Sequence, residues 1–410
     1  MVNDDEWVAL LRLDLPVLSR CAYLNTGTAG PLPTPTADIM SRAAEAERYV
    51  GRGDFSTFGP FIELREHTRD QVARLLGADS DEIALTHHTS DGVNIVLWGL
   101  GWQPGDRLVT TSLEHDAAVV PANEIGRRLG VEVLFADIGL GDRTLDGIEH
   151  AMGERTRLVA LSHVSYSSGA LLPVREIVEL AHARGVEVLV DGAQSVGAMP
   201  VDVRRLGADY YTVSAQKWLC GPEGMGALYV RRERLSALAP TFCSYFSTAS
   251  NDFRGQVVFH QDARRFEAGM VYRPALAGFG ASLQWMRERV GSERAWQRSL
   301  GLVAHARELL GQLDGVVLMT PEKQSSQLLS FDLPAFSPAR LHALALSWAR
   351  ERKLVVRSID HPPYALRASI GCFNTATEIG LLVDAVREAL RRGPAAIDPG
   401  AGHGSLPDAR

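Results

Sequence analysis

The chain has 410 residues, of which 46% are apolar, and a formal net charge of −7. This length allows one large hydrophobic core and a smaller second domain, and it disfavours a single small binding module. The acidic balance argues against a nucleic-acid partner, because such proteins need a basic surface to contact phosphates. We therefore expect a protein that acts on small molecules.

The N-terminal sequence and the cysteines predict a cellular compartment. Residues 1–6 lack a basic stretch followed by an apolar core, and no apolar run in the sequence is long enough to span a bilayer. The cysteines are far apart and form no CxxC pair, which favours reduced thiols over disulfides or a zinc site; they are Cys21, Cys220, Cys243 and Cys372. We expect a cytoplasmic protein with no membrane partner and no metal.

From about residue 81 to residue 230, short β-rich runs alternate with helical patterns. This alternation is typical of an α/β fold with a mostly parallel sheet covered by helices. Between the runs lie amphipathic stretches such as residues 174–184, whose apolar side chains share one helical face. The predicted strands are residues 82–85, 107–111, 132–135, 158–162, 187–190, 210–213 and 227–230.

After Pro274 the pattern changes to long helices, predicted over residues 275–290 and 293–313, and then to separate strands near 328–333 and 354–359. This change predicts a second, smaller α+β domain. The residues from Gly393 onwards show no periodicity and are predicted to form a flexible tail. The predicted organisation is an N-terminal segment packing with the small domain (1–30), a large domain (31–273), a small domain (274–392) and a tail (393–410).

Two neighbouring predicted strands end in ionisable side chains, Asp191 and Lys217. The carboxyl ends of parallel strands meet at one edge of a sheet, so the two groups are expected in one crevice. Taken singly, such an aspartate is more often a helix cap and such a lysine a surface ion-pair partner. Together they supply what pyridoxal 5′-phosphate (PLP) requires: an amine for a Schiff base and a carboxylate that keeps the pyridinium nitrogen protonated.

Around these residues the chain resembles the class V aminotransferase and cysteine desulfurase family. The resemblance implies the PLP-dependent transferase fold type I, with Lys217 as the Schiff-base lysine and Asp191 beside the ring nitrogen. It further implies that Gln194 reaches the ring hydroxyl and that His115 stacks on the ring. The motifs that carry it are residues 23–33 (YLNTGTAGPLP), 89–90, 114–115, 162–163, 191–195 (DGAQS), 214–226 (SAQKWLCGPEGMG) and 366–375 (LRASIGCFNT).

The resemblance also implies a site for the PLP phosphate. Thr89 and Ser90 follow a predicted strand and open a helix, a place that suits an anion, although the sequence alone shows only a helix-capping pattern. Ser214 and Gln216 are expected to complete this site. Many relatives have histidine where this chain has Gln216. Glutamine can keep the hydrogen bond at this position, but it has no titratable proton to contribute.

One position departs from the family pattern at a predicted subunit contact. Relatives often have threonine where this chain has Met270, and that threonine reaches the phosphate of the other subunit. A thioether cannot donate the same hydrogen bond. Arg273 is close enough in the sequence to substitute, although an ordinary surface arginine is the simpler interpretation. By resemblance we expect a homodimer with a shared active site.

Substrate contacts are predicted from both ends of the chain. Arg367 is expected to hold the α-carboxylate of an α-amino acid in a bidentate fork, as in the family. Arg357 is a candidate for a distal substrate group, and a solvated strand-edge arginine fits equally well. Asn25 and Tyr166 are predicted to face the same cleft, while Tyr166 and His163 also fit buried core positions.

The absence of a loop cysteine predicts the type of reaction. Cysteine desulfurases carry a cysteine in the loop before the carboxylate-binding arginine, and residues 357–367 contain none, while Cys372 is predicted as a buried thiol inside a strand. Within the family, the chain most resembles the cystine and cysteine-conjugate C-S lyases. This implies β-elimination to pyruvate, ammonia and a thiol or persulfide, with Lys217 as the base and His115 or Tyr166 as a proton donor.

Other chemistries stay open, because relatives with aminotransferase, isopenicillin N epimerase-like or decarboxylase-deaminase activity share most of these motifs. A non-catalytic, aminotransferase-like binding protein is a further alternative. Loss of the lysine or fusion to a DNA-binding module would mark such a protein, and the sequence shows neither.

Overall fold

The computed structural model describes residues 3–398. The strands of this part are β1 (Ala22–Tyr23), β2 (Ile83–Thr86), β3 (Arg107–Thr111), β4 (Glu132–Ala136), β5 (Thr156–Ser162), β6 (Glu187–Asp191), β7 (Tyr210–Ser214), β8 (Gly226–Val230), β9 (Thr248–Asn251), β10 (Val257–Phe259), β11 (Val317–Leu318), β12 (Leu328–Asp332), β13 (Leu354–Val355), β14 (Arg357–Ile359) and β15 (Ala365–Ser369). The helices are α1 (Asp4–Asp14), α2 (Thr34–Val50), α3 (Phe55–Leu76), α4 (Thr89–Gly99), α5 (Asp116–Leu129), α6 (Thr144–Ala151), α7 (Val174–His182), α8 (Val203–Leu206), α9 (Arg273–Trp285), α10 (Ser292–Gly311), α11 (Pro338–Glu351) and α12 (Ala376–Arg392).

A seven-stranded sheet with the order β2-β8-β7-β6-β5-β3-β4 forms the centre of the fold. Neighbouring strands from β7 to β4 pair in parallel, and β8 runs antiparallel to both β2 and β7. Strands β2, β7 and β8 are buried along their whole length, as expected for a sheet covered on both faces. The predicted α/β class and mostly parallel sheet are confirmed, and each predicted strand of this sheet lies within two residues of its observed bounds.

A second, antiparallel sheet has the order β11-β12-β15-β14. Its apolar residues and those of α10, α11 and α12 form a core separate from that of the large sheet, with Leu329, Phe331, Leu344, Leu366 and Ile379 at its centre. This architecture agrees with an α+β unit after Pro274. The domain boundaries given above stay predictions.

The prediction of a single strand over residues 354–359 is wrong. The chain forms two short strands here, because β13 pairs with β1 from the N-terminus whereas β14 pairs with β15. The strands β13 and β14 thus belong to different sheets, and Val356 between them is part of neither strand. The helix predicted from residue 275 begins at Arg273, since proline is well tolerated in the first helical turn, and it widens into a π-turn over Met286–Val290.

Several elements had no counterpart in the sequence analysis. These are the helices α1, α2, α3, α11 and α12, the short strands β1 and β11, and the exposed hairpin β9-β10. The predicted tail begins with a 3₁₀ turn, Pro394–Ala396, and residues 399–410 of that tail lie outside the described residues. Within residues 3–398 no helix is long and apolar enough to cross a membrane.

Residues 22–30, here called the N-terminal strap, connect the small sheet to the site. The strap donates backbone hydrogen bonds from Ala22 to Lys353 (2.8 Å) and from Leu24 to Val355 (2.9 Å). Further along, its Gly30 amide donates to the carbonyl of Gln216 at 2.7 Å. A Cβ atom on Gly30 would lie 2.1 Å from the carbonyl oxygen of Lys217, so only glycine fits this close approach.

Candidate active site

One cavity of about 300 Å³ collects almost all of the predicted site residues. It opens at the carboxyl ends of β5, β6 and β7 and at the start of α4 and α5, and the small sheet supplies its remaining wall. Eleven of the twelve predicted residues line it: Thr89, Ser90, His115, Tyr166, Asp191, Gln194, Ser214, Gln216, Lys217, Arg357 and Arg367. Asn25 does not line the cavity, and instead its side chain contacts Thr28, which does.

Asp191 is the last residue of β6 and is buried, whereas Lys217 follows the neighbouring strand β7 and is partly buried; both side chains line this cavity. The Asp191 carboxylate accepts hydrogen bonds from the Ala193 amide at 2.8 Å and the Thr212 hydroxyl at 3.3 Å. Burial lowers the pKa of Lys217 to about 8, against the opposing attraction of Asp191, and nearby guanidinium groups lower it further. A fraction of this amine is therefore neutral at physiological pH and able to act as a nucleophile or base.

His115 is the N-cap of α5, and its Nδ1 accepts a hydrogen bond from the Ala117 amide at 3.1 Å. Its ring lies edge-on to the ring of Tyr166, with centroids 4.7 Å apart. Burial and the neighbouring Lys217 lower the pKa of His115, so the neutral imidazole is favoured. With Nδ1 used as an acceptor, the neutral ring carries its proton on Nε2.

Glu114 is a buried carboxyl group that the sequence analysis placed in a motif without assigning it a role. It accepts hydrogen bonds from the hydroxyls of Thr111 (2.6 Å) and Ser162 (2.5 Å), and Ser162 lines the cavity beside Asp191 in the parallel register. Burial raises the pKa of Glu114 to about 7, with a further contribution from Asp191. In the sequence, only its position next to His115 indicated that Glu114 lies at the site.

The start of α4 offers an anion site. Its N-cap is His88, whose Nδ1 accepts from the Asp91 amide at 3.2 Å, so the capping role suggested for Thr89 and Ser90 is wrong: these residues form the first turn. That turn leaves backbone amides without partners inside the helix, which suits a phosphate. Nearby, the Ser214 hydroxyl donates to Oε1 of Gln216 at 2.6 Å.

Two arginines from the small sheet complete the wall. Arg367 is 1% exposed and donates to the carbonyl oxygen of Tyr166 at 2.8 Å and to the Thr28 hydroxyl at 3.2 Å. Arg357 donates to the same hydroxyl at 3.4 Å. Among residues 3–398 no carboxylate lies within 4 Å of either guanidinium group, and each has a buried Nε without a hydrogen-bond partner. Burial lowers the pKa of Arg367 to about 9, with a smaller contribution from Arg357.

Several expectations for individual residues need correction. Arg273 is not a surface arginine, because its side chain is 18% exposed, lies 3.7 Å from Glu47 and packs over the ring of Phe61. Met270 is half exposed, and neither it nor Arg273 lines the cavity. Cys372 is buried but lies beyond the end of β15 rather than inside a strand, because β15 stops at Ser369.

Two further residues are engaged with the protein itself. His163 is a buried core residue whose Nδ1 lies 2.6 Å from the Tyr211 hydroxyl, and burial lowers its pKa to about 4. The Gln194 amide donates to the carbonyl oxygen of Gly27 and accepts from the Trp218 indole, both at 2.8 Å. Gln194 therefore lines the cavity with its amide already hydrogen-bonded on both sides.

The residues present fit PLP. An amine of lowered pKa faces the same cavity as a buried carboxylate, and the start of a helix is available for the phosphate. Among the described residues no group of three or more histidine, cysteine or acidic side chains could hold a metal ion. Together with the mostly parallel seven-stranded sheet, these features define a PLP enzyme of fold type I.

Comparison with known proteins specifies the family. The family model "Aminotransferase class-V" matches residues 23–382, and the chain belongs to this PLP-dependent family. A probable cysteine desulfurase of Methanothermobacter thermautotrophicus is 31% identical over 393 residues, covering 92% of this chain and 97% of the relative. A cysteine desulfurase of Klebsiella pneumoniae is 31% identical over 404 residues, covering 92% and 96%.

Solved structures give the same result. The complex of the cystine C-S lyase C-DES with its reaction product cysteine persulfide superposes with a TM-score of 0.86 at 28% identity, covering 91% of this chain and 99% of that one. A C-DES mutant with glycine covalently linked to the PLP cofactor also has a TM-score of 0.86 and covers 92% and 99%. The expected family, fold type, cofactor and enzyme class are confirmed.

The lowered pKa of Lys217 predicts how PLP uptake depends on pH. Only the neutral amine attacks an aldehyde, so the rate of PLP uptake by the apoenzyme should rise with pH and level off above about 8, rather than near the ordinary lysine value of 10.5. Stopped-flow absorbance of PLP binding over this range measures the inflection, with N-acetyl-lysine methyl amide as the unburied control. An inflection shared with that control would contradict the prediction.

Proposed function

We propose that this enzyme is a C-S lyase that acts on a cysteine-type α-amino acid, either a cysteine S-conjugate or cystine. The observation that carries the proposal is that no thiol reaches the cavity. None of the four free cysteines lines it, and the segment before Arg367 has His361, Pro362 and Pro363 but no cysteine. Sulfur transfer to the protein would need a thiol acceptor there, whereas elimination from Cβ does not.

The relatives support chemistry at a carbon-sulfur bond. The curated relatives named above are cysteine desulfurases, and the superposable C-DES is a cystine C-S lyase. Desulfurases and lyases both act on sulfur attached to Cβ of an amino acid. The difference between them lies in the acceptor of the sulfur, and the missing thiol therefore favours elimination.

Different side chains of the cavity carry out the separate steps of the elimination. Arg367 binds the α-carboxylate and fixes the amino acid in the cavity, and Lys217, as a neutral amine, removes the proton from Cα. Bound PLP supplies an electron sink for the electrons left at Cα, and Asp191 keeps the proton on its ring nitrogen. The Cβ–S bond then breaks with its electron pair on sulfur.

The departing sulfur takes its proton from the Lys217 ammonium group that forms when the amine removes the Cα proton, and the edge-on pair of His115 and Tyr166 can donate hydrogen bonds to that sulfur. Nε2 of His115 carries the proton of the neutral ring, and Tyr166 presents its side chain to the same cavity. The remaining three-carbon product, 2-aminoacrylate, hydrolyses in water to pyruvate and ammonia. Atoms balance without any oxidant or protein thiol.

The products distinguish this proposal from its alternatives. Purified holoenzyme with cystine or a cysteine S-conjugate should release pyruvate, ammonia and a persulfide or thiol in equal amounts, measured by mass spectrometry and a coupled pyruvate assay. Cys372→Ala should retain nearly full turnover, and no cysteine should accumulate a persulfide. A keto acid that keeps its Cβ substituent would identify a transaminase, a D-amino acid an epimerase, and a decarboxylated aldehyde a decarboxylase-deaminase.

We further propose that the enzyme is a homodimer. Large apolar side chains are exposed at the end of α2, the start of α3 and in residues 242–272, and ring contacts connect Phe58, Phe61, Phe246 and Tyr245 across these segments. The most exposed aromatic residues of this set are Phe55 (94%), Phe253 (92%), Tyr49 (71%) and Phe242 (65%). Such a patch on a protein of this size favours a covered interface. Sedimentation of the holoenzyme should give twice the chain mass of 44.6 kDa; a single-chain mass would refute the dimer.

A further inference from the structure

One hydroxyl group joins the two arginines of the cavity. The Thr28 hydroxyl donates its single proton to Oδ1 of Asn25 at 2.8 Å. Its oxygen then accepts from Nη2 of Arg367 at 3.2 Å and from Nη1 of Arg357 at 3.4 Å. A hydroxyl has one proton and two lone pairs, so these contacts use its full capacity. The two guanidinium groups are thereby held within hydrogen-bonding reach of the same atom.

Holding two cations this close is unfavourable unless an anion binds to them. Neither arginine has a carboxylate within 4 Å among the described residues, and the buried Nε of each lacks a partner. The cavity wall contains three basic side chains, Lys217, Arg357 and Arg367, and one carboxylate, Asp191. The start of α4 provides for the PLP phosphate, and a single α-carboxylate needs only one bidentate guanidinium partner. The second arginine is therefore available to bind another anionic group.

We propose that the substrate carries a second carboxylate on the sulfur substituent, beyond the Cβ–S bond, and that Arg357 binds it while Arg367 binds the α-carboxylate. This inference rests on the proposed lyase function and narrows its substrates to dicarboxylic conjugates, namely S-carboxyalkyl cysteines and the disulfide cystine. Arg367 takes the inner position because it is fully buried, whereas Arg357 is only partly buried. Thr28 and Asn25 are positioning residues for the arginine pair.

The rival interpretation is that both arginines grip one α-carboxylate together. The two ideas differ in what a change at Arg357 does. If both arginines hold the α-carboxylate, Arg357→Gln weakens every amino acid alike. If Arg357 holds a second carboxylate, the same change weakens only those substrates that have one.

A matched pair of substrates tests the proposal on the holoenzyme. S-(2-carboxyethyl)cysteine and S-(2-carbamoylethyl)cysteine have the same size and differ in one carboxylate. The wild-type kcat/KM should be higher for the carboxylate by ~10- to 100-fold, the range for a hydrogen bond to a charged group. In Arg357→Gln this ratio should fall to about one, because the variant can no longer distinguish the carboxylate from the carboxamide. A wild-type ratio near one, or an equal loss for both substrates in Arg357→Gln, would overturn the proposal.

Two hydroxyl variants test the positioning role. Thr28→Val keeps the shape but removes the hydroxyl, and Thr28→Ser keeps the hydroxyl. We expect the carboxylate preference to decrease in Thr28→Val and to persist in Thr28→Ser, with the same cofactor absorption spectrum in both. Equal preference in the two variants would contradict the role of Thr28.

Binding without turnover separates this inference from the lyase proposal. 2-Aminopimelate replaces the sulfur of S-(2-carboxyethyl)cysteine with a methylene and has no leaving group, and its terminal amide is the matched neutral ligand. Titration of the cofactor absorbance should show tighter binding of the dicarboxylate, and Arg357→Gln should remove the difference. This result stands even if the enzyme eliminates nothing. Equal affinities of the two ligands for the wild type would refute the second carboxylate whatever the reaction.

Discussion

Lys217→Ala should lower turnover by ~10³-fold or more and leave no covalently attached cofactor, because the variant loses both the amine that holds PLP and the base that takes the Cα proton. Borohydride reduction of the wild type should fix a pyridoxyl mass on the peptide that contains Lys217. The same treatment of the variant should leave every peptide unmodified. A yellow variant with a labelled peptide elsewhere would place the cofactor on another amine.

The composition of the chain makes this experiment easy to interpret. The full sequence contains three lysines, and the other two are Lys323 and Lys353. Both are exposed, whereas Lys217 is partly buried and lines the cavity. Lys323→Arg and Lys353→Arg are matched controls, and each should keep the label, the colour and the turnover of the wild type.

Arg367→Ala should retain PLP but weaken binding of amino acids by about 2–5 kcal/mol, which is the cost of leaving one partner of a buried, hydrogen-bonded charge pair without the other. The expected loss in affinity is roughly 30- to 5,000-fold. Titration of the cofactor absorbance with an amino acid measures it. An unchanged titration would show that Arg367 does not bind the α-carboxylate.

Two further variants show whether a loss of binding in Arg367→Ala comes from the lost carboxylate contact or from a disturbed structure. Arg367 also donates to the carbonyl of Tyr166, so its removal affects the wall of the cavity as well as the substrate. Arg367→Lys keeps the charge but loses the planar fork, and it should bind amino acids with intermediate affinity. Arg175→Ala removes an arginine that is 68% exposed and pairs with Glu179 on α7, and it should change nothing measurable.

The residues predicted most securely were those whose role follows from local sequence. Lys217 and Asp191 each follow a short apolar strand, and the topology of parallel sheets brings such strand ends together wherever the rest of the chain goes. Thr89 and Ser90 follow a strand and open a helix at the same edge, but the sequence alone shows only a capping pattern there, and their assignment to the phosphate came from the family resemblance. These groups do line one cavity; their chemical roles stay predictions.

The residues that were missed depend on contacts between distant parts of the chain. Thr28 becomes informative only when Arg357 and Arg367 are placed beside it, more than 300 residues later in the sequence. Glu114 depends on the hydroxyl of Ser162 from another strand. The split between β13 and β14 has the same origin, because the partner of β13 is a strand near the N-terminus. Periodicity within a short window cannot contain such information.

The N-terminal strap has a consequence for the order of events during synthesis. Its first residues leave the ribosome early, but their hydrogen-bond partners at Lys353, Val355 and Ser369 are made only near the end of translation. Contacts of such large sequence separation form late in folding. The seven-stranded sheet can assemble while the chain is still growing. Gly27 and Gly30 lie beside Gln194 and Lys217, but they belong to a strap whose partner strand β13 is made more than 100 residues after that sheet. We therefore expect the nascent enzyme to acquire its full affinity for the cofactor only after residues 353–369 have been made, because a chain that stalls before residue 354 has the lysine but not the contacts that hold the strap beside it.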